Sequence, residues 1–152
     1  MSDPITYSTI TPRLGLPMLF AGQSQKETTV NEALWQIDML VGGAIEGELS
    51  SPPASPLAGQ AWLVGASPTG AFAHHEGDLA AWTDGGWRFI SPAPGLRVHD
   101  RTTEAMRFYD GVWRIGTSPA LPTGGSVIDT EARATIAALV QLLAEIGIIS
   151  AT

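Results

Sequence analysis

The sequence predicts an α+β fold: an extended N-terminal arm, one amphipathic helix, a small antiparallel β domain of two related hairpins, and a C-terminal amphipathic helix. Three observations carry this. AWTDGGWRF at 81–89 is echoed by RFYDGVWRI at 107–115, each with an aromatic residue two places before an Asp-Gly pair and a Trp-Arg pair behind it. Two other stretches space their apolar residues in alternating steps of four and three, the rhythm of a helix that packs along a seam. Glycine and proline, 17 and 11 of the 152 residues, punctuate the chain between them.

Residues 1–24 contain Pro4, Pro12 and Pro17. Proline withholds a backbone donor and restricts the residue before it, which predicts an extended arm. Leu14, Leu16, Met18, Leu19 and Phe20 on that arm need a surface to lie on, either this chain's own core or a neighbouring subunit.

The helical segment spans 25–49. Val30, Leu34, Ile37 and Val41 make its stripe, Glu27 suits the positive end of the helix dipole, and Gly42-Gly43 marks the stop. One such helix is marginal alone and must pack on something. SSPPASP at 50–56 reads as a linker.

The β domain is expected over 57–116. AWLVG, LAAW, WRFI, LRVHD, MRFYD and VWRIG are short runs of aromatic and β-branched residues set between turn residues. Asp84-Gly85 and Asp110-Gly111 tolerate the positive φ of primed hairpin turns. The hairpins form a small sheet or a partly open barrel. Trp87 and Trp113 alternate with Arg88 and Arg114, and period-two alternation predicts tryptophan on the core face with arginine on the wet face.

A linker over 117–128 leads to the C-terminal helix at 129–149. Asp129 or Thr130 caps it, and Ala132, Ile136, Leu139, Leu143 and Ile146 form its stripe. Gly147 supplies a left-handed stop, with Ile148 placed to fold back on Leu143 in a Schellman motif. Val140, Leu142, Ile148 and Ile149 widen the apolar face beyond a two-stranded seam, so the helix is expected to be buried on the β domain or among copies of itself.

The net charge of −7 argues against nucleic acid as a partner, because phosphate neutralisation needs a basic face. No cysteine is present, which removes disulfides and thiolate metal sites. The first residues lack the basic and apolar regions of a signal peptide, and no apolar run reaches bilayer length, so membrane insertion is not expected. Only 15% of residues are charged, leaving apolar surface for another chain.

Chemical candidates are few. His74-His75-Glu76-Gly77-Asp78 and His99-Asp100 hold metal-type ligands, but without ligand spacing, and a solvated hairpin loop is the expected reading. No GxSxG elbow appears. Asp84 and Asp110 are explained by their turns, so neither a catalytic residue nor a cofactor is expected. Trp82, Trp87, Arg88, Trp113 and Arg114 have the residue types of a carbohydrate surface, since indole faces stack on sugars and arginine binds hydroxyls. A small β domain also needs large side chains in its core, and the core reading is preferred.

TPRLGLPMLFAGQSQKETTVNEAL, the Ser-Pro-Pro linker, GDLAAWTDGGWRFISPAPGLRVHD and YDGVWRIG together resemble a phage-related family of unknown biochemical function, found in alphaproteobacterial prophages and gene transfer agents. The resemblance covers roughly residues 11–116, and Gln23–Glu27 with Val30–Leu34 is its most specific part. It implies a structural component of a virion, either a head spike or the attachment module of a tail fibre, located in a particle assembled in the bacterial cytoplasm. The chain stops soon after the module, which favours a base or adaptor linking the capsid to a separate fibre. Its partners would then be capsid or other particle proteins, that fibre, and further copies of itself as a trimer or pentamer; host polysaccharide would be met only indirectly. The candidate subunit or partner contacts are Leu14, Leu16, Met18 and Phe20 on the arm, Val30, Leu34 and Ile37 on the first helix, Arg88 and Arg114 on the hairpins, and Leu139, Leu143 and Ile146 on the last helix. A carbohydrate-binding module for host cell-surface polysaccharide is the alternative, and a small polysaccharide hydrolase the third.

Overall fold

The structure, a computed structural model, describes residues 9–14, 16–19, 26–125 and 129–150. The elements run α1 (Lys26–Leu40), β1 (Ala44–Ile45), β2 (Glu48–Leu49), β3 (Ala61–Val64), a 3₁₀ turn (Gly70–Phe72), β4 (Leu79–Thr83), β5 (Gly86–Ile90), β6 (Arg97–Asp100), β7 (Ala105–Tyr109), β8 (Trp113–Ile115) and α2 (Thr130–Glu145). The α+β expectation is borne out. Two four-stranded sheets, ordered β2-β3-β4-β5 and β1-β6-β7-β8, lie open rather than closing into a barrel.

Each sheet contains one antiparallel meander, β3-β4-β5 or β6-β7-β8, and the echoed sequences form the second hairpin of each. The sheets are mixed, not purely antiparallel: β1 pairs parallel with β6, and β2 pairs parallel with β3. Residues 44–49 therefore step from one sheet to the other and tie them together, so only Lys26–Leu40 of the segment read as helical is helix.

The β4–β5 turn also differs from expectation. Thr83 pairs with Gly86 across the two-residue loop Asp84-Gly85, yet the positive φ falls on Gly86 (97°) rather than on the Asp-Gly pair. A glycine just past the loop absorbs the left-handed step that a primed turn would have placed inside it.

The main core joins α1, β1 and both sheets. Met39, Ile45, Ala61, Leu63, Leu79, Ala81 and Val98 are buried together, with Leu40, Ile90, Leu96 and Trp113 around them. A second cluster, Val64, Phe72 and Ala80 with Trp87 and Phe89, lies on the other side of the first sheet under the 3₁₀ turn. Its aromatic rings meet edge to face, Phe72 to Trp87 at 4.9 Å and Trp62 to Trp87 at 5.6 Å.

This second cluster corrects the simple alternation. Trp113 does turn to the main core, but Trp87 packs in the second cluster, and Arg88 beside it reaches Glu32 of α1. The cause is the long β3–β4 connection: its Phe72 covers the face that would otherwise be wet, so both faces of the first sheet are protected.

The described part of the arm is folded back, not extended. Ile10 bridges antiparallel to Pro17, and the tight turn between them is bonded to α1. Met18 and Thr9 close the loop at 3.0 Å through Met18 N–H and Thr9 C=O.

α2 follows its local signals closely. The Asp129 carboxylate accepts the Ala132 N–H at 2.8 Å as the N-cap. At the other end Gly147 has φ 71°, Ile148 N–H donates to Leu143 C=O and Gly147 N–H to Ala144 C=O, each at 2.9 Å. That pair of bonds is the Schellman motif, and glycine takes its left-handed position without a Cβ penalty. The helix contributes no buried side chain.

Candidate functional site

The arm latch is built by one carboxylate. Asp38, fully buried on α1, accepts Thr11 Oγ1–H at 2.6 Å, Leu14 N–H at 2.6 Å and Arg13 N–H at 3.1 Å. The Arg13 guanidinium then donates to Gly59, Met39 and Ala44 carbonyls, joining the arm to the helix end, β1 and the loop before β3. Burial lowers the Arg13 pKa, while the Asp38 charge pushes it back up. Asn31 adds a reciprocal pair of bonds with Leu19.

A second polar centre ties the sheets. Buried Asp100 on β6 accepts Arg107 Nε–H at 2.7 Å and Thr102 N–H at 2.8 Å, and Arg107 also donates to Glu48 of β2 at 2.7 Å. Arg101 repeats the device with Glu46 at 2.9 Å. Glu46, Glu48, Asp100, Thr102, Arg107 and Trp62 line an open depression of about 350 Å³ where the chain crosses between sheets. Thr103 Oγ1 on its wall is buried and has no partner among the described residues.

The residues expected at interfaces divide into three groups. Leu139 and Ile146 of α2 are 55% and 59% exposed, and Ile37 of α1 is 46% exposed. Val30 and Leu14 are exposed too, whereas Leu16, Met18, Leu34 and Leu143 are partly buried. Phe20 lies outside the described residues. The Val30–Val41 stripe does not face this chain's sheets; α1 turns Asp38 and Met39 inward, because the latch and the main core lie on that side.

Arg88 and Arg114 are not equivalent. Arg88 is half-buried and donates to Glu32 at 3.0 Å, whereas Arg114 is exposed and paired with Asp110 at 2.8 Å at its own turn. The two hairpins turn opposite faces to the core, so matched positions in the echo meet different surroundings.

The sugar-type tryptophans serve internal packing: Trp82 and Trp87 meet at 5.1 Å, and Trp113 Nε1–H donates to Gly77 C=O at 2.8 Å. In the histidine-rich loop, His75 stacks on Phe89 and pairs with Asp78 at 2.9 Å, while His74 is exposed. Among the described residues no group of three His, Asp or Glu is placed to hold a metal ion, and no helix is long and apolar enough to cross a membrane.

Sequence reasoning missed Thr11, Arg13, Asp38, Asp100 and Arg107. The available signal for the last was an arginine sharing the period-two face of Ala105 in an otherwise apolar strand.

The fold and these sites define a small α+β scaffold of two cross-tied open sheets, with buried Asp38 and Asp100 holding its parts together and aliphatic side chains of both helices left outside. The chain belongs to the family described as Protein of unknown function (DUF2793), whose model matches residues 30–114, more than half of its length. The match runs from α1 into β8 and leaves out the arm and α2. No curated protein matches the chain.

Proposed function

We propose that this protein is a non-enzymatic structural component of a phage-like particle, a phage or gene transfer agent. In this reading it is a head-spike base or fibre adaptor that links the capsid to a receptor-binding fibre, and it works as a homo-oligomer. The observation that carries the reading is the outward apolar side of both helices: Ile37 and Val41 on and just after α1, and Ile136, Leu139, Leu142 and Ile146 on and just after α2. Exposed aliphatic side chains on a protein with few charges suit burial against other chains. The resemblance of residues 11–116 to prophage and gene-transfer-agent proteins supplies the kind of assembly. The arm latch supports the same role, because it holds Thr11, Arg13 and Leu14 on the scaffold.

The test is composition of the particle. Gradient-purified particles from a producing strain contain the protein by mass spectrometry, and particles from a deletion strain lack the fibre. Particles of normal composition that lack the protein contradict the proposal.

One observation favours a second reading, a carbohydrate-binding module. The depression brings the Arg107 guanidinium and the Glu46 and Glu48 carboxylates together beside largely buried Trp62. Quenching or enhancement of tryptophan fluorescence by host capsular polysaccharide, lost in Arg107→Lys, would support it. The hydrolase reading gains nothing from Asp110, whose carboxylate is bound by Arg114.

A further inference from the structure

Three exposed aliphatic side chains from separate segments converge on one groove. Leu14 of the arm turn, Val41 just after α1 and Leu57 of the loop before β3 are 46%, 56% and 68% exposed. All three line an open groove of about 480 Å³. Its walls are fixed by main-chain bonds. Asp38 holds the Leu14 N–H, and the Arg13 guanidinium, also in the lining, is bonded to the Gly59, Met39 and Ala44 carbonyls. Leu57 N–H donates to Gln60 Oε1 at 2.8 Å, and its C=O accepts the Gln60 N–H at 3.0 Å. The arm turn lies so close to Gly59 that a Cβ there would come within 3.3 Å of Pro12.

Charge decides what such a groove accepts. On a chain of net charge −7, its lining holds two arginines, Arg13 and Arg101, and one carboxylate, Glu46. The depression beside Trp62 has the opposite balance, three carboxylates to one arginine. Arg101 gives one N–H to Glu46, and its side chain is 61% exposed, so the rest of the guanidinium fork faces solvent. Burial lowers the Arg13 pKa, and the Arg101 charge lowers it further against the pull of Asp38 and Glu46, so the two cations act on each other.

We propose that this groove docks a linear segment of a separate protein, one that carries a carboxylate beside aliphatic or aromatic side chains. The apolar side chains cover Leu14, Val41 and Leu57, and the carboxylate takes the solvent side of Arg101 in a charge-assisted pair. A nucleic acid would instead set its phosphates against three aliphatic side chains. Because the groove walls are already bonded in place, the ordering cost of docking falls mainly on the incoming segment. The inference rests on the adaptor reading only in taking that segment from another component of the particle.

The probe is a displayed library of random linear peptides, selected on the immobilised full chain. Enriched sequences place Asp or Glu beside Leu, Ile or Phe. As free peptides they bind Arg101→Glu and Leu57→Ser about tenfold more weakly, the equivalent of one charge-assisted bond or one buried apolar group, and bind Leu139→Ser on α2 unchanged. Both groove substitutions replace exposed side chains, and parent-like urea midpoints check that the variants are folded. No enrichment, enrichment of basic sequences, or peptides indifferent to both substitutions overturns the docking groove, while particle composition remains the separate test of the adaptor reading. A fall in the oligomer mass of the chain on Leu57→Ser also overturns it, by showing that a second copy fills the groove.

Discussion

Asp38 and Thr11, 27 residues apart, are both about 1% exposed and are joined by a 2.6 Å hydrogen bond. That bond ties the segment around Thr11 to α1. The same carboxylate holds the backbone of Arg13 and Leu14, so its removal leaves three donors without their acceptor, that of Thr11 fully buried.

Asp38→Ala is expected to lower stability by about 3 kcal/mol, since hydrogen bonds to a buried charged group are worth more than neutral ones and their donors would be left unpaired. Thr11→Ala costs about half as much, because the two backbone donors keep the carboxylate. Urea denaturation midpoints at constant m-value measure both. A loss under 1 kcal/mol for Asp38→Ala would show that the latch is not part of the cooperative unit.

Arg107 and Glu48 form a pair whose members are predicted to differ sharply. Arg107→Ala leaves fully buried Asp100 without its cation and should cost about 3–5 kcal/mol. Glu48→Gln removes only the half-exposed partner and should cost less than about 1 kcal/mol. Equal losses in thermal unfolding would contradict the division of roles.

For the hairpin arginines, Arg88→Ala and Arg114→Ala are each expected to change stability by less than about 1 kcal/mol, because both pairs are substantially exposed and screened. A double-mutant cycle separates them. Arg88 couples to Glu32 across the α1–β5 contact, whereas Arg114 couples only to Asp110 within its own turn.

Trp113→Phe keeps an aromatic ring in the main core but leaves the Gly77 carbonyl without its 2.8 Å donor. A loss of about 1–2 kcal/mol is expected in guanidinium unfolding. No loss would mean that water replaces the indole N–H.

The legible parts of this fold were those written locally. Asp129 and Gly147 announced both ends of α2, because a cap and a Schellman stop depend on residues a few places apart. The echoed Asp-Gly stretches announced the two hairpins for the same reason. β1 and β2, with two residues each, are too short to show any periodicity, so their parallel pairing and the mixed character of the sheets left no trace in the pattern. Asp38 gives no local sign of its role, because its partners come from a turn 24 to 27 residues earlier. Arg88 and Arg114 looked equivalent because an echo in sequence does not say which face each hairpin turns to the core. Of the residues expected at interfaces, Ile37, Leu139 and Ile146 are side chains that this chain alone leaves in solvent.

The central claim is that copies of this chain cover the exposed side chains of α2, Leu139 and Ile146 among them, and sedimentation equilibrium of the unmodified protein at micromolar concentration tests it most directly. The account predicts a mass of three or more 16.0 kDa chains; a single 16.0 kDa species across the concentration range contradicts it.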